Sequence, residues 1–261
     1  MTTSKWNPQQ YERFGDERRQ PFYDLTALVQ RNDDMRVVDL GCGTGELTSV
    51  LHRHLAARES IGIDSSETML AKSGAFSGSG LHFELGNIAD YRAAKPVDLI
   101  FSNAALHWVD DHPALLAHLT ASIAEGGQLA VQIPANHDHP SHRVALEVAQ
   151  REPFQSELHS YARPSPVLAP EIYSALLDEL GYTQQHVRLQ VYAHHLASRD
   201  EVVEWTKGTT LVPYEQRLSP AMFAQFVEQY RARLLPQLAD TRPHLYTFKR
   251  ILFWGRKGNA G

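Results

Sequence analysis

One segment constrains this chain more than any other: Val37-Val38-Asp39-Leu40-Gly41-Cys42-Gly43-Thr44-Gly45-Glu46-Leu47-Thr48. A β-branched apolar run meets three glycines at alternate positions. A helical pattern follows, with Leu47, Val50, Leu51 and Leu55 on one face. The segment reads as a strand, a tight turn and a helix start, and glycine lets the turn's backbone bend sharply and a ligand approach it closely. The same rhythm recurs downstream. Strand-like runs appear at Ser60–Ile63, Leu81–Phe83, Asp98–Phe101 and Leu129–Ile133, with helical patterns between them. The residues Asp111–Ala124 predict a helix stopped by Gly126-Gly127. Strands alternating with helices build βαβ units, hence a mostly parallel sheet. Ligands of such sheets sit at the carboxyl ends of the strands.

After Pro134 the rhythm changes. A His-rich loop, Asn136 to His142, leads to a helix near Val144–Glu152, then to Pro164-Ser165-Pro166. Pro170 and Gly181 bracket the next helix, whose core side is Tyr173, Leu176, Leu177 and Leu180. Ser219-Pro220 starts an amphipathic helix through Phe223, Phe226, Val227, Tyr230 and Leu234. The stretches His186–Leu196 and Leu245–Arg256 read as two more strands. At 261 residues the chain fits a single large α/β domain, with helical insertions at about 135–165 and 197–243 forming a lid.

Composition excludes several classes. Lys plus Arg is 25 and Asp plus Glu is 30, a net charge of −5. Nucleic-acid and membrane-surface binding both favour a basic patch, so neither partner is expected. No apolar run is long enough to span a bilayer, and MTTSKWNPQQ has no apolar signal core. Cys42 is the single cysteine, so no intrachain disulfide forms. A cytoplasmic location is the expectation. The oligomeric state stays open.

The residues around the glycine turn choose among cofactors. A dinucleotide fingerprint starting at Gly41 needs glycine at position 46, where Glu46 stands. A carboxylate at that helix start repels a pyrophosphate. The Gly-Lys-Ser/Thr of a phosphate-binding loop is missing. S-adenosylmethionine remains: a cationic sulfonium with no phosphate, suited to Asp39 and Glu46. Asp64, 19 residues after Gly45, ends the next strand, where a carboxylate can accept both hydroxyls of a ribose.

Gly41-Cys42-Gly43-Thr44-Gly45 resembles the signature turn of the class I, Rossmann-like methyltransferases. That resemblance implies a doubly wound seven-stranded sheet, mostly parallel, with the last strand antiparallel beside the fifth. It implies that Asp39, Gly41 and Gly43 border the methionine tail, Asp64 holds the ribose, and Ser65 and Met69 flank the adenosine. Asn87-Ile88, after the third strand, would meet the adenine, with Asn87 where Asp is usual, and Asn103 at the end of the fourth strand completes the set. Enzymes that methylate amino groups of bases or glutamine usually carry Asn/Asp-Pro-Pro-Tyr/Phe after the fourth strand. This chain has Ser102-Asn103-Ala104-Ala105-Leu106-His107-Trp108.

Across Trp6 to Arg256 the chain is similar to the trans-aconitate 2-methyltransferase family. The matching pieces are WNPQQYERF with ERRQPFYDL, GIDSSETML, SNAALHWVDDH, QIPAN with PSH, EWTKGTTLVP and FKR. The resemblance implies esterification of a small polycarboxylate, with trans-aconitate giving a monomethyl ester and S-adenosylhomocysteine. The acceptor carboxylate is already ionised, so no catalytic base is assigned; alignment carries the rate, worth about 7–11 kcal/mol in well-oriented reactions. Tyr11, Arg18, His107, Trp108, Lys207, Tyr214 and Arg250 are the implied substrate contacts, with Arg suited to bidentate carboxylate binding. For Trp108, core packing under the fourth strand is the alternative. His137-Asp138-His139 with His142 has a spacing a metal could use, but the family's loop needs none and no metal is expected. Two alternatives stay open: methyl transfer to another small molecule or carrier-bound acid, and a cofactor-binding regulator without turnover.

Overall fold

The computed structural model describes residues 15–161 and 165–258. The elements run α1 (Gly15–Thr26), β1 (Arg36–Leu40), α2 (Glu46–Leu55), β2 (Glu59–Asp64), α3 (Glu67–Leu70), β3 (Leu81–Leu85), β4 (Val97–Asn103), α4 (His112–Thr120) and β5 (Ile123–Pro134). Then come α5 (Pro140–Ala149), α6 (Phe154–Glu157), α7 (Pro170–Glu179), β6 (Tyr182–Leu196), α8 (Asp200–Lys207), α9 (Val212–Glu215), α10 (Pro220–Leu234) and β7 (His244–Lys257). The seven strands form one sheet in the order β3-β2-β1-β4-β5-β7-β6. Strands β1 to β5 pair in parallel, and β7 lies antiparallel beside β5, opposing Pro134 to Arg250 and Gln128 to Arg256. The order reverses between β1 and β4, which puts a crevice at the carboxyl ends of those strands.

The chain divides into two compact units. One holds Arg19–Pro134, Pro166–Gln190 and the chain from Arg250 onward. Its core covers one sheet face: Val37, Leu99, Phe101, Ala130, Leu252 and Trp254 from the strands, Phe22 and Leu25 from α1, and Leu51 and Leu55 from α2. Phe22 meets Phe101 edge-on, ring centroids 5.6 Å apart. Burying side chains of this size contributes about 1.5–3 kcal/mol each. The other unit holds Ala135–Ser165 and Val191–Lys249. It has its own core, in which Phe154, Trp205, Phe226, Tyr230 and Tyr246 are fully buried.

The elements match the expected alternation, with one informative difference. The helix after the fourth strand stops at Thr120, and Gly126-Gly127 lies inside β5. Ile123 pairs with Val97, but Leu99 pairs with Gln128, so residues between them bulge out of the ladder. Gly126 takes φ +69°, and a Cβ on Gly127 would lie 2.7 Å from Ile123 Cγ2. The glycine pair permits a bulge that starts the strand early, where the pattern suggested a helix stop.

Candidate active site

The glycine turn is fixed from beneath. Gly41 N–H donates to Ile63 O at 2.7 Å and Cys42 N–H to the same oxygen at 3.0 Å, so the end of β2 holds the turn. Gly41 has φ +81°, and a Cβ there would lie 2.1 Å from Ala105 Cβ. At Gly45, φ +79°, it would lie 2.5 Å from Phe83. Glycine is required at both positions by conformation and by space.

Asp64 closes the crevice on the β2 side. Its Oδ2 accepts from Gly43 N–H at 2.8 Å and its Oδ1 from Ser66 N–H at 2.9 Å. Each oxygen keeps a lone pair for a further donor. Ser65 is exposed beside it, and Met69 stands against Gly43, 3.1 Å from where a Cβ would be. Ser66 caps α3 by accepting from Met69 N–H at 3.3 Å. Ile88 lies 3.6 Å from the Cβ position of Gly41, so the turn after β3 borders the same crevice. Asn87 is exposed there, and its Oδ1 accepts from Ala89 N–H at 3.0 Å.

Asp39 sits lower, 5% exposed. Thr48 Oγ1 of α2 donates to its Oδ2 at 2.6 Å. Burial pushes this carboxyl up to about 7, Thr48 partly offsets that, and the charge of Asp64 adds to the rise. Asp39 thereby ties the strand to the helix across the turn while holding a titratable charge under it. Burial, with Asp39 and Asp64 nearby, also raises the Cys42 thiol, which stays protonated. Glu46 pairs with Arg19 at 2.9 Å. The turn thus carries three carboxylates, and none of its residues is a phosphate-binding lysine. This donor and charge set fits a cationic, phosphate-free cofactor with a ribose.

Beyond β4, Leu106–Trp108 forms a single 3-10 turn. Leu106 is buried, while Trp108 is 49% exposed with its ring 4.7 Å from that of His107. Trp108 therefore does not pack under the strand and is available as a wall. The turn is pinned by His112, whose Nε2–H donates to Leu106 O at 3.1 Å while Nδ1 accepts from the Tyr173 hydroxyl. Tyr173 in turn accepts from Leu168 N–H at 3.2 Å. Neither His112 nor Thr48 stood out in the sequence; a polar residue before a helix or in its first turn carries little signal alone. Gln132 entered only as the first residue of the QIPAN piece, with no role assigned to it. Its signal was slight: one glutamine among the apolar residues of Leu129–Ile133.

Arg250 is 5% exposed on β7, and its Nη1 donates to Gln132 Oε1 at 3.4 Å. Asn103 ends β4, level with Gln132 across the ladder. The expected cofactor residues Asp39, Gly41, Gly43, Asp64, Ser65, Met69, Asn87, Ile88 and Asn103, with His107, Trp108 and Arg250, all belong to one unit. Lys207 and Tyr214 belong to the other. Lys207 pairs with Glu204 at 2.7 Å. Tyr214 is buried and stacks on Phe226 at 4.9 Å, with its hydroxyl pushed up to about 12. Tyr11 and the side chain of Arg18 lie outside the described residues.

Among the described residues no group of three or more His, Cys, Asp or Glu is placed to hold a metal. In the His-rich loop, His139 Nδ1 bonds Ser141 Oγ at 2.9 Å, and His142 Nε2 bonds Thr210 Oγ1 at 3.0 Å. Burial keeps both imidazoles neutral, His139 down to about 4 and His142 to about 3. No described helix is long and apolar enough to cross a membrane.

Comparison with known proteins agrees with this geometry. A family model described as "Methyltransferase domain" matches residues 11–186. A trans-aconitate 2-methyltransferase of Deinococcus radiodurans is 44% identical over 95% of this chain and 96% of its own length. Among solved structures, the YcgJ protein from Bacillus subtilis aligns over 92% of this chain and 99% of its own, with TM-score 0.62 and 14% identity. The Haemonchus contortus phosphoethanolamine N-methyltransferase 2, solved with S-adenosyl-L-methionine, aligns over 96% of this chain and 56% of its own, with TM-score 0.57 and 15% identity.

Proposed function

The chain belongs to the trans-aconitate 2-methyltransferase family of S-adenosylmethionine-dependent methyltransferases, and from that membership we propose that it esterifies one carboxylate of a small polycarboxylate, trans-aconitate first. The observation that carries the reading is the extent of the relationship. Identity of 44% runs over 95% of the chain, so it includes the segments outside the nucleotide-binding half as well as the glycine turn. When bound, S-adenosylmethionine supplies a methyl group on a cationic sulfur, which an acceptor carboxylate oxygen takes as the C–S electron pair returns to sulfur.

The residues of the chain have positioning roles in this reading. Asp64, already fixed by two backbone N–H groups, offers its remaining lone pairs to the ribose. Asp39 places negative charge beneath the turn for the cationic end of the cofactor. The turn carrying His107 and Trp108 shields the acceptor from water, which strengthens every polar contact made there. No side chain need remove a proton, because a carboxylic acid is ionised well below neutral pH. The protein should be incubated with methyl-labelled cofactor and a set of di- and tricarboxylates. Label should appear as a base-labile ester, one per S-adenosylhomocysteine formed. Cofactor binding with no transfer to any acid would refute the assignment.

A further inference from the structure

The segment between β4 and α4 is bounded by two residues in a backbone conformation that side chains disfavour. Ala104 takes φ +56° and Asp111 takes φ +53°, both in the left-handed region. Asp111 is compensated locally, because its Oδ1 accepts from Ala114 N–H at 3.2 Å. Ala104 has no polar side chain to do the same. Strain of this kind lasts only where the surroundings enforce it. Between the two residues lies the turn Leu106–Trp108, which carries the rings of His107 and Trp108. On its β4 side, Ala105 abuts Gly41 and sets the turn against the glycine loop. On the other side it is held by a series of hydrogen bonds that starts at α7.

Leu106 O accepts from Val109 N–H at 2.9 Å and from His112 Nε2 at 3.1 Å. A carbonyl oxygen only accepts, so Nε2 carries the proton. In a neutral imidazole Nδ1 is then an acceptor, and it faces the Tyr173 hydroxyl. Tyr173 is fully buried, and burial pushes its hydroxyl up to about 12, so it keeps its proton and donates. Its oxygen accepts in turn from Leu168 N–H at 3.2 Å. Every proton in the series points one way, from Leu168 through Tyr173 and His112 to Leu106 O. The Tyr173 ring is itself fixed, stacked on Phe253 of β7 with centroids 4.7 Å and planes 16° apart. All these residues belong to one unit. A phenylalanine at 173 would fill nearly the same space. Satisfied buried polar series of this kind specify one arrangement where apolar packing would permit several.

We propose that Tyr173 and His112 are positioning residues for the acceptor: through Leu106 they set the turn that aims His107 and Trp108 at the site of methyl transfer. The inference rests on the reading of that turn as a wall of the acceptor site. In this role the two side chains act through the backbone of one turn and touch neither cofactor nor acid.

Tyr173→Phe removes one oxygen and keeps the stacked ring. Nδ1 then faces no donor, and the proton is no longer held on Nε2. KM for trans-aconitate should rise about 5- to 30-fold, with kcat changed only a few-fold. S-adenosylhomocysteine affinity, read by calorimetry, should stay within about twofold. Long-range proton–nitrogen NMR of histidine-labelled protein reads the tautomer directly, with His112→Asn assigning the signal. The wild type should show His112 protonated at Nε2, and Tyr173→Phe a mixture of the two tautomers. His112→Gln keeps an amide N–H near the place of Nε2 and should restore KM to within a few-fold of the wild type. His112→Asn is one bond too short and should not. If Tyr173→Phe fails to fold, these two variants decide, and equal KM values in them would overturn the inference. In a folded Tyr173→Phe, an unchanged acceptor KM, or a cofactor affinity that falls as far as the acceptor's, would also overturn it and leave the methyltransferase assignment standing. A wild type that methylates no polycarboxylate would overturn both.

Discussion

Asp64 and Asp39 are both carboxylates within one turn's reach of the glycine loop, yet their surroundings set them different tasks. Asp64 is half-buried and already organises two backbone N–H groups. Asp64→Ala should weaken cofactor binding at least tenfold, because each ribose hydroxyl loses a charged acceptor worth about 1.5–3 kcal/mol. Calorimetry giving an unchanged dissociation constant in a folded variant would remove Asp64 from the site. Asp39 acts through its protonation. Its carboxyl titrates near 7 in the folded chain against 3.8 ordinarily. Between those values the folded state holds a proton that the unfolded state has released, so Asp39's contribution to stability falls as pH rises from about 4 to about 7. A cation bound nearby favours the ionised form. Cofactor affinity should therefore increase as pH rises from 6 to 7.5, and binding near pH 6.5 should release part of a proton. Asp39→Asn should flatten that slope; an equal slope in both proteins would place the titration elsewhere.

At the scale of elements, the strand-turn-helix of β1 and α2 is the part that tolerates least. Gly41→Ala would drive a Cβ into Ala105 at 2.1 Å from a backbone already at φ +81°. A lower melting temperature and a cofactor affinity reduced at least tenfold are the expected results, and wild-type values in both would show that the turn can shift. This motif was legible because glycine's permissiveness is a local property. The helix through Phe226, Tyr230 and Leu234 was legible from its periodicity, and Ser219 caps it as its residue type suggests, accepting from Met222 N–H at 3.2 Å. The bulge in β5 was not legible, since a glycine pair punctuates a helix and a strand alike. The Gln132–Arg250 contact joins residues 118 apart in the chain. Only the antiparallel placement of β7 brings them together.

For the whole molecule, the sheet order and the antiparallel last strand agree with the class resemblance, and the family follows from identity along nearly the full chain. The proposed acceptor contacts were less legible in the sequence than the glycine turn. They are spread along the chain, and single arginines in a sequence do not reveal which are buried. Arg19, Lys207 and Lys249 each face a carboxylate, Glu46, Glu204 and Asp138, whereas Arg250 lies buried beside the amide oxygen of Gln132. The most direct test of the account is kcat/KM measured side by side for trans-aconitate, its neutral trimethyl ester, a phenol and a carrier-bound acyl chain. The polycarboxylate should exceed each of the others by at least tenfold, with the neutral ester close to inert. A phenol or a carrier-bound chain turning over faster than any tricarboxylate would contradict the acceptor assignment, while methyl transfer itself would still locate the cofactor.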